Sequence, residues 1–225
     1  MKRGRLIVIE GLDGSGKETQ SRLLYERLEE WGEKVVRISY PRYEKESSAL
    51  VKMYLRGDFG ENPDEVSPYI SSTFFAADRY ASYKTEYESF YNEGGIVIAD
   101  RYTTSNMMHQ GCKIKDQKER QRFLDWLWDL EFNLYKIPIP DKVMFLDIPP
   151  SFSMERIKDR KNKITNESQK DIHESNELHL RNAYEAAVQM VDKYYWTRID
   201  CLKNGVPKTI GEINSEIMKL VMENR

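Results

Sequence analysis

Residues 5–19 hold the feature that most restricts the fold. Arg5-Leu6-Ile7-Val8-Ile9-Glu10 is a short apolar run rich in β-branched residues, and Gln20–Leu28 carries apolar residues at helical spacing. Between them stands Gly11-Leu12-Asp13-Gly14-Ser15-Gly16-Lys17-Glu18-Thr19. A buried strand that turns through glycines into a helix at a lysine is the setting of a P-loop. Glycine lets the backbone curl so that successive N–H groups point at an anion. The helix N-terminus adds partial positive charge and Lys17 a full one, so Gly11 to Thr19 is expected to cradle a nucleoside triphosphate. One position departs from the signature. The hydroxyl that normally follows the lysine and holds Mg²⁺ is replaced by Glu18, with Thr19 next. Thr19 lies about 100° further round the helix, so it does not take over that position. Mg²⁺ is therefore expected on nucleotide oxygens and waters, with Asp13 as the protein contributor.

The helix after the loop stops at Trp31-Gly32, and Lys34–Tyr40 reads as a second strand. Strand, loop, helix and strand form a βαβ unit, which implies α/β architecture with a parallel sheet and right-handed crossovers. A chain of 225 residues suits one domain spanning 1–225. Side chains at the carboxyl ends of parallel strands face the ligand crevice. That places Arg42, after the second strand, and Asp100-Arg101, after the buried run Ile96–Ala99, as candidates. Helices are expected at 45–55, 67–92, 118–135, from 151, up to 195, and at 210–222, with further strands at 143–148 and 196–202. Phe75 and Arg79 fall one turn apart on the aromatic-rich 67–92 helix and share a face. Arg156, Lys158, Arg160, Lys161 and Lys163 form a basic stretch, followed by Asp171 and Glu174, and read as a flap over phosphates.

Composition removes several classes. With 40% hydrophobic residues, 32% charged and a net charge of −2, the chain shows no general nucleic-acid surface. It has no apolar run of membrane-span length, and its first strand begins too early for a signal peptide. Cys112 and Cys201 lie far apart and read as reduced thiols of a cytoplasmic protein. A guanine-reading Asn-Lys-x-Asp stretch is missing, which argues against a nucleotide switch.

The P-loop, Tyr40-Pro41-Arg42-Tyr43, Phe75-Ala76-Ala77-Asp78-Arg79, Asp100-Arg101-Tyr102 with Ser105-Asn106, Pro138-Ile139-Pro140-Asp141 and the basic flap together resemble the thymidylate kinase family, in order and in spacing. The resemblance runs from Ile7 to Ile217. It implies a P-loop NTPase fold, with a five-stranded parallel sheet flanked by helices and a lid at roughly 156–174. It implies phosphoryl transfer from ATP to dTMP, giving dTDP, in a homodimer packed through helices. Lys17 would hold the donor phosphates, and Arg42 and Arg101 would clamp the acceptor phosphate. Phe75 would stack on thymine and Arg79 would bond its edge, with Pro41, Asp100, Ser105 and Asn106 nearby. Asp13 would stand by the acceptor 3′-hydroxyl or a metal-bound water. Some relatives carry an arginine where Gly14 stands here, so Arg156 and Arg160 would supply the compensating charge. His109 and His173 occupy places where relatives often carry tyrosines, and Asp171 and Glu174 flank the second. The alternative is a related kinase acting on another deoxynucleoside or nucleoside monophosphate.

Overall fold

A computed structural model describes residues 3–158 and 171–223, with the backbone alone at 157 and 158. Strand β1 (Arg5–Glu10) takes the centre of a five-stranded sheet, with β2 (Val35–Ser39), β3 (Ile96–Asp100), β4 (Lys142–Asp147) and β5 (Thr197–Asp200) around it. The order is β2-β3-β1-β4-β5, and every pairing is parallel. Because the chain crosses from β3 to β4 on either side of β1, the crevice opens at the carboxyl ends of these strands. Both faces of the sheet are covered, which is why β1 and β3 read as continuous apolar runs. Alternate residues serve opposite faces. Ile7, Ile9, Ile98 and Leu146 pack with Leu24, Leu28, Ile213 and Ile217, while Leu6, Val8, Val97 and Ala99 pack with Tyr83, Tyr87 and Tyr91.

The helices are α1 (Lys17–Glu30), α2 (Ala49–Arg56), α3 (Pro68–Ser82), α4 (Glu88–Asn92), α5 (Thr103–His109), α6 (Gln117–Trp128), α7 (Pro150–Lys158), α8 (Glu177–Lys193) and α9 (Ile210–Met222). The expected helices at 67–92 and 118–135 each contain a π-helical turn, at Tyr83–Tyr87 and Asp129–Leu134. A π turn adds a residue and rotates the face that follows, so 3.6-residue periodicity no longer places the later side chains. The strand expected over 196–202 ends at Asp200. A two-strand ribbon follows, β6 (Leu202–Lys203) and β7 (Val206–Pro207). Its turn holds Asn204 at φ 52° and Gly205 at φ 79°, the left-handed pair that a two-residue hairpin requires. Of the basic flap, Arg156 is exposed at the end of α7, whereas Arg160, Lys161 and Lys163 lie outside the described residues.

Candidate active site

The loop between β1 and α1 depends on glycine at particular points. Gly11 has φ 152°, and a Cβ there would stand 2.7 Å from Ser15 Oγ and 3.1 Å from the Leu146 carbonyl. Gly16 takes the left-handed N-cap of α1 at φ 100°. Lys17 is buried beneath the loop, its Nζ donating to the Leu12 carbonyl at 2.6 Å. Burial, then the nearby Arg101, lowers its ammonium pKa to about 8. A phosphate here relieves that cost by supplying opposite charge. Ser15 Oγ is buried with no hydrogen-bond partner among the described residues, as expected of a group that faces a ligand. Glu18 is exposed and Thr19 half-buried.

Arg101, just past β3, has φ 69°, a strained conformation for a residue with a Cβ. Its guanidinium joins the two halves of the site. Nη2 donates to Asp13 Oδ1 at 2.5 Å, and Nη1 donates to Ser105 Oγ at 3.2 Å and lies 3.4 Å from His109 Nε2. Burial opposes the charge on Arg101, but Asp13 and Glu10 outweigh it and raise its pKa. Burial likewise opposes the Asp13 carboxylate, yet Arg101 and Lys17 hold it well below the usual carboxylate range. Glu10 anchors the junction from beneath, fully buried. It accepts from the Gly11 N–H at 3.0 Å and from Thr104 Oγ1 at 2.7 Å, and Ser105 Oγ reaches both its oxygens. One carboxylate thus fixes the start of the P-loop to the first turn of α5.

Beside Arg101 opens a cleft lined by Pro41, Phe75 and Arg79. Ser105, Asn106 and His109 of α5 line it too, with Asp13, Asp171 and His173. Arg79 is buried and locked in place. Its Nε and Nη2 donate to the two oxygens of Glu131 at 2.7 and 2.6 Å, and Nη2 also reaches Asn106 Oδ1 at 3.0 Å. Thr103 Oγ1 donates to the same Glu131 at 2.8 Å. Asn106 Nδ2 is buried without a partner among the described residues. Asp171 caps its own turn by accepting from the N–H groups of His173 and Glu174. Burial, then Glu174 and Asp13, nevertheless raises its carboxyl to about 7. Phe75 and the α5 residues Ser105, Asn106 and His109 share this lining with the Arg79 and Arg101 guanidinium groups.

The family model described as thymidylate kinase matches residues 9–200. The chain belongs to the thymidylate kinase family. It is 27% identical over 220 residues to the thymidylate kinase of Plasmodium falciparum, covering 98% of this chain and 90% of that protein. A probable thymidylate kinase of Pyrococcus horikoshii is 34% identical over 156 residues, covering 69% of this chain and 71% of the relative. Among solved structures, thymidylate kinase from Candida albicans shares the fold with a TM-score of 0.70 at 21% identity, over 99% of this chain and 92% of that one. The P-loop NTPase architecture and five-stranded parallel sheet are those of this kinase family.

Arg42 and Asp100, expected at the acceptor, are engaged by protein side chains. Arg42 does not line the cleft. Its guanidinium binds Glu86 and, at 3.1 Å, Glu44, because two carboxylates outside the cleft stand within its reach. Asp100 sits at the β2–β3 seam, 3.4 Å from Ser39 Oγ and 3.7 Å from Arg37 Nη2. Burial raises its pKa. Asp78, from the Phe75–Arg79 stretch, accepts from the Arg42 N–H at 2.8 Å and from Ser47 Oγ at 2.6 Å, holding the turn after β2. Sequence reading missed Glu10 and Glu131. Glu10 left a signal, an acid closing an otherwise apolar strand. Glu131 left none, because the π turn swings it inward.

Proposed function

We propose that the chain transfers the γ-phosphoryl of ATP to dTMP, giving dTDP and ADP. The observation that carries this reading is the Asp13–Arg101 junction, where the P-loop meets a cleft lined by Phe75, Arg79 and Asn106. Phosphoryl transfer needs in-line positioning and compensation of negative charge more than covalent help. Lys17 and the loop N–H groups hold the donor phosphates. Arg101 reaches the acceptor phosphate and stabilises charge on the transferred group. Phe75 stacks on thymine, and Arg79 with Asn106 Nδ2 bonds its edge. Gly14 supplies no charge, so Arg156 and Arg160 complete the compensation. The oxygen donors of Asp13 and Ser15 suit a hard cation, and we assign Asp13 as the residue that holds Mg²⁺, through water. The ion, when bound, neutralises charge on the phosphates. Among the described residues no helix is long and apolar enough to cross a membrane. We further propose one domain over 1–225, a cytoplasmic location and a homodimer.

The test is ADP release with dTMP, dUMP, the ribonucleotide of thymine and thymidine side by side, for wild type and Arg101→Ala. dTMP gives the highest kcat/KM. Arg101→Ala stays folded and loses ~10²-fold or more in turnover, as for other lost charge-stabilising donors. A folded Arg101→Ala protein with near wild-type turnover refutes the role of Arg101. A higher kcat/KM for another acceptor refutes the substrate.

A further inference from the structure

The chain has three histidines, and they converge from three separate elements. His109 ends α5, His173 lies in the turn before α8, and His179 lies in the first turn of α8; all three are buried. Their ring centres are 5.6, 5.7 and 4.4 Å apart, and one ligand nitrogen from each lies within 4.8 Å of the others. Three imidazoles on a tetrahedral ion with bonds of ~2.0–2.1 Å have ring centres roughly 5 Å apart. The triangle therefore has the size of a three-histidine metal site. The rings stack at 5°, 25° and 30° to one another, so each must turn about its side-chain bonds to aim a nitrogen at a common centre.

Each ring already has one nitrogen anchored. His109 Nε2 faces Arg101 at 3.4 Å, His173 Nε2 faces Tyr54 Oη at 2.9 Å, and His179 Nδ1 faces Cys112 Sγ at 3.8 Å. The opposite nitrogens of two rings, His109 Nδ1 and His179 Nε2, are buried with no partner among the described residues. Leaving such groups unpaired is costly. The Cys112 thiol donates to the His109 carbonyl, so its sulfur accepts from His179 Nδ1–H, the kind of outer contact that orients a histidine ligand toward a metal. We infer that His109, His173 and His179 form a binding site for a zinc-type transition-metal ion, separate from the Mg²⁺ that accompanies the nucleotide. Imidazole donors favour Zn²⁺, Cu²⁺ or Ni²⁺ over Mg²⁺. The cations Arg101 and Lys113 border the trio, which further disfavours a hard ion held by charge alone. Arg101 only donates, so His109 Nε2 accepts from it and Nδ1 carries the proton; binding at Nδ1 requires His109 to turn away from Arg101 as the proton moves to Nε2. His109 and His173 line the acceptor cleft, so the ion, by turning them, weakens acceptor binding and inhibits.

The test uses the full chain with Co²⁺ alone, then Zn²⁺. One Co²⁺ per chain is expected, with the intense visible bands of tetrahedral coordination, displaced by Zn²⁺. His179→Asn, a residue outside the cleft, is expected to keep basal turnover. It should lose more Co²⁺ affinity than the ~10–100-fold seen when only an outer partner is removed. Zn²⁺ is expected to raise the KM for dTMP in wild type and not in His179→Asn. This inhibition arm rests on the acceptor reading above, whereas the spectrum does not. An octahedral Co²⁺ spectrum, or tetrahedral binding unchanged in His179→Asn, overturns the site. Should His179→Asn fail to fold, the same spectrum on His109→Asn decides it.

Discussion

Glu131→Leu tests whether the buried Arg79–Glu131 pair exists to hold an arginine in the acceptor cleft. The two side chains are 2% and 0% exposed and share two hydrogen bonds of 2.7 and 2.6 Å. Removing the carboxylate leaves the guanidinium with Asn106 Oδ1 alone and its charge uncompensated. Breaking a buried pair from one side costs ~3–5 kcal/mol. At roughly 2–4 °C per kcal/mol for a chain of this size, Tm falls by about 10 °C. The double variant Arg79→Met with Glu131→Leu replaces both charges by apolar groups of similar volume and recovers most of that stability. It does not recover function, because the edge of the base then keeps Asn106 Nδ2 and loses Arg79. Calorimetric unfolding and ADP release with varied dTMP, on both variants, separate the two effects. The expected pattern is an unstable single variant, a stable double variant, and a raised dTMP KM in each. A Glu131→Leu protein within ~1 kcal/mol of wild type refutes the electrostatic reasoning. A double variant with unchanged KM refutes the role of Arg79.

Three further outcomes are expected. Lys17 pays for burial in the nucleotide-free protein, its pKa lowered to about 8. The unfolded chain therefore binds the proton more tightly, the penalty is complete below about pH 8, and it vanishes above the ordinary lysine pKa of ~10.4. Lys17→Met should raise Tm at neutral pH while abolishing turnover, and a Tm that falls would show that the Lys17–Leu12 bond outweighs desolvation. Phe75→Ala should raise the KM for dTMP more than that for ATP, since Phe75 lines the acceptor cleft; equal rises would make the ring a packing residue. Glu18→Ser should keep or raise Mg²⁺-dependent turnover, whereas Asp13→Ala should lose most of it, because Asp13 meets Arg101 at 2.5 Å. Loss of turnover in a folded Glu18→Ser protein would make Glu18 a metal ligand.

What the sequence determined alone was whatever neighbours along the chain control. The apolar run, the glycines that reach positive φ and the lysine at a helix start specify β1, the P-loop and α1. The spacing of Phe75 and Arg79 puts both on one helix face, and both line the same cleft. The final helix at 210–222 needed only its own pattern and the Thr209 capping box. Tertiary structure decided what depends on partners distant in sequence. Arg42 reads as an anion binder at a strand end, and only the fold shows that Glu86, 44 residues on, binds its guanidinium. Glu131 reads as a surface acid until the π turn swings it onto Arg79, 52 residues away. Glu10 gains its role only when α5 brings Thr104 and Ser105 within hydrogen-bond reach. The three histidines meet only because α5 and α8 pack together. Backbone conformation is set by local sterics, but a charge's partner is set by which elements the sheet brings side by side, and no short stretch of sequence contains that information.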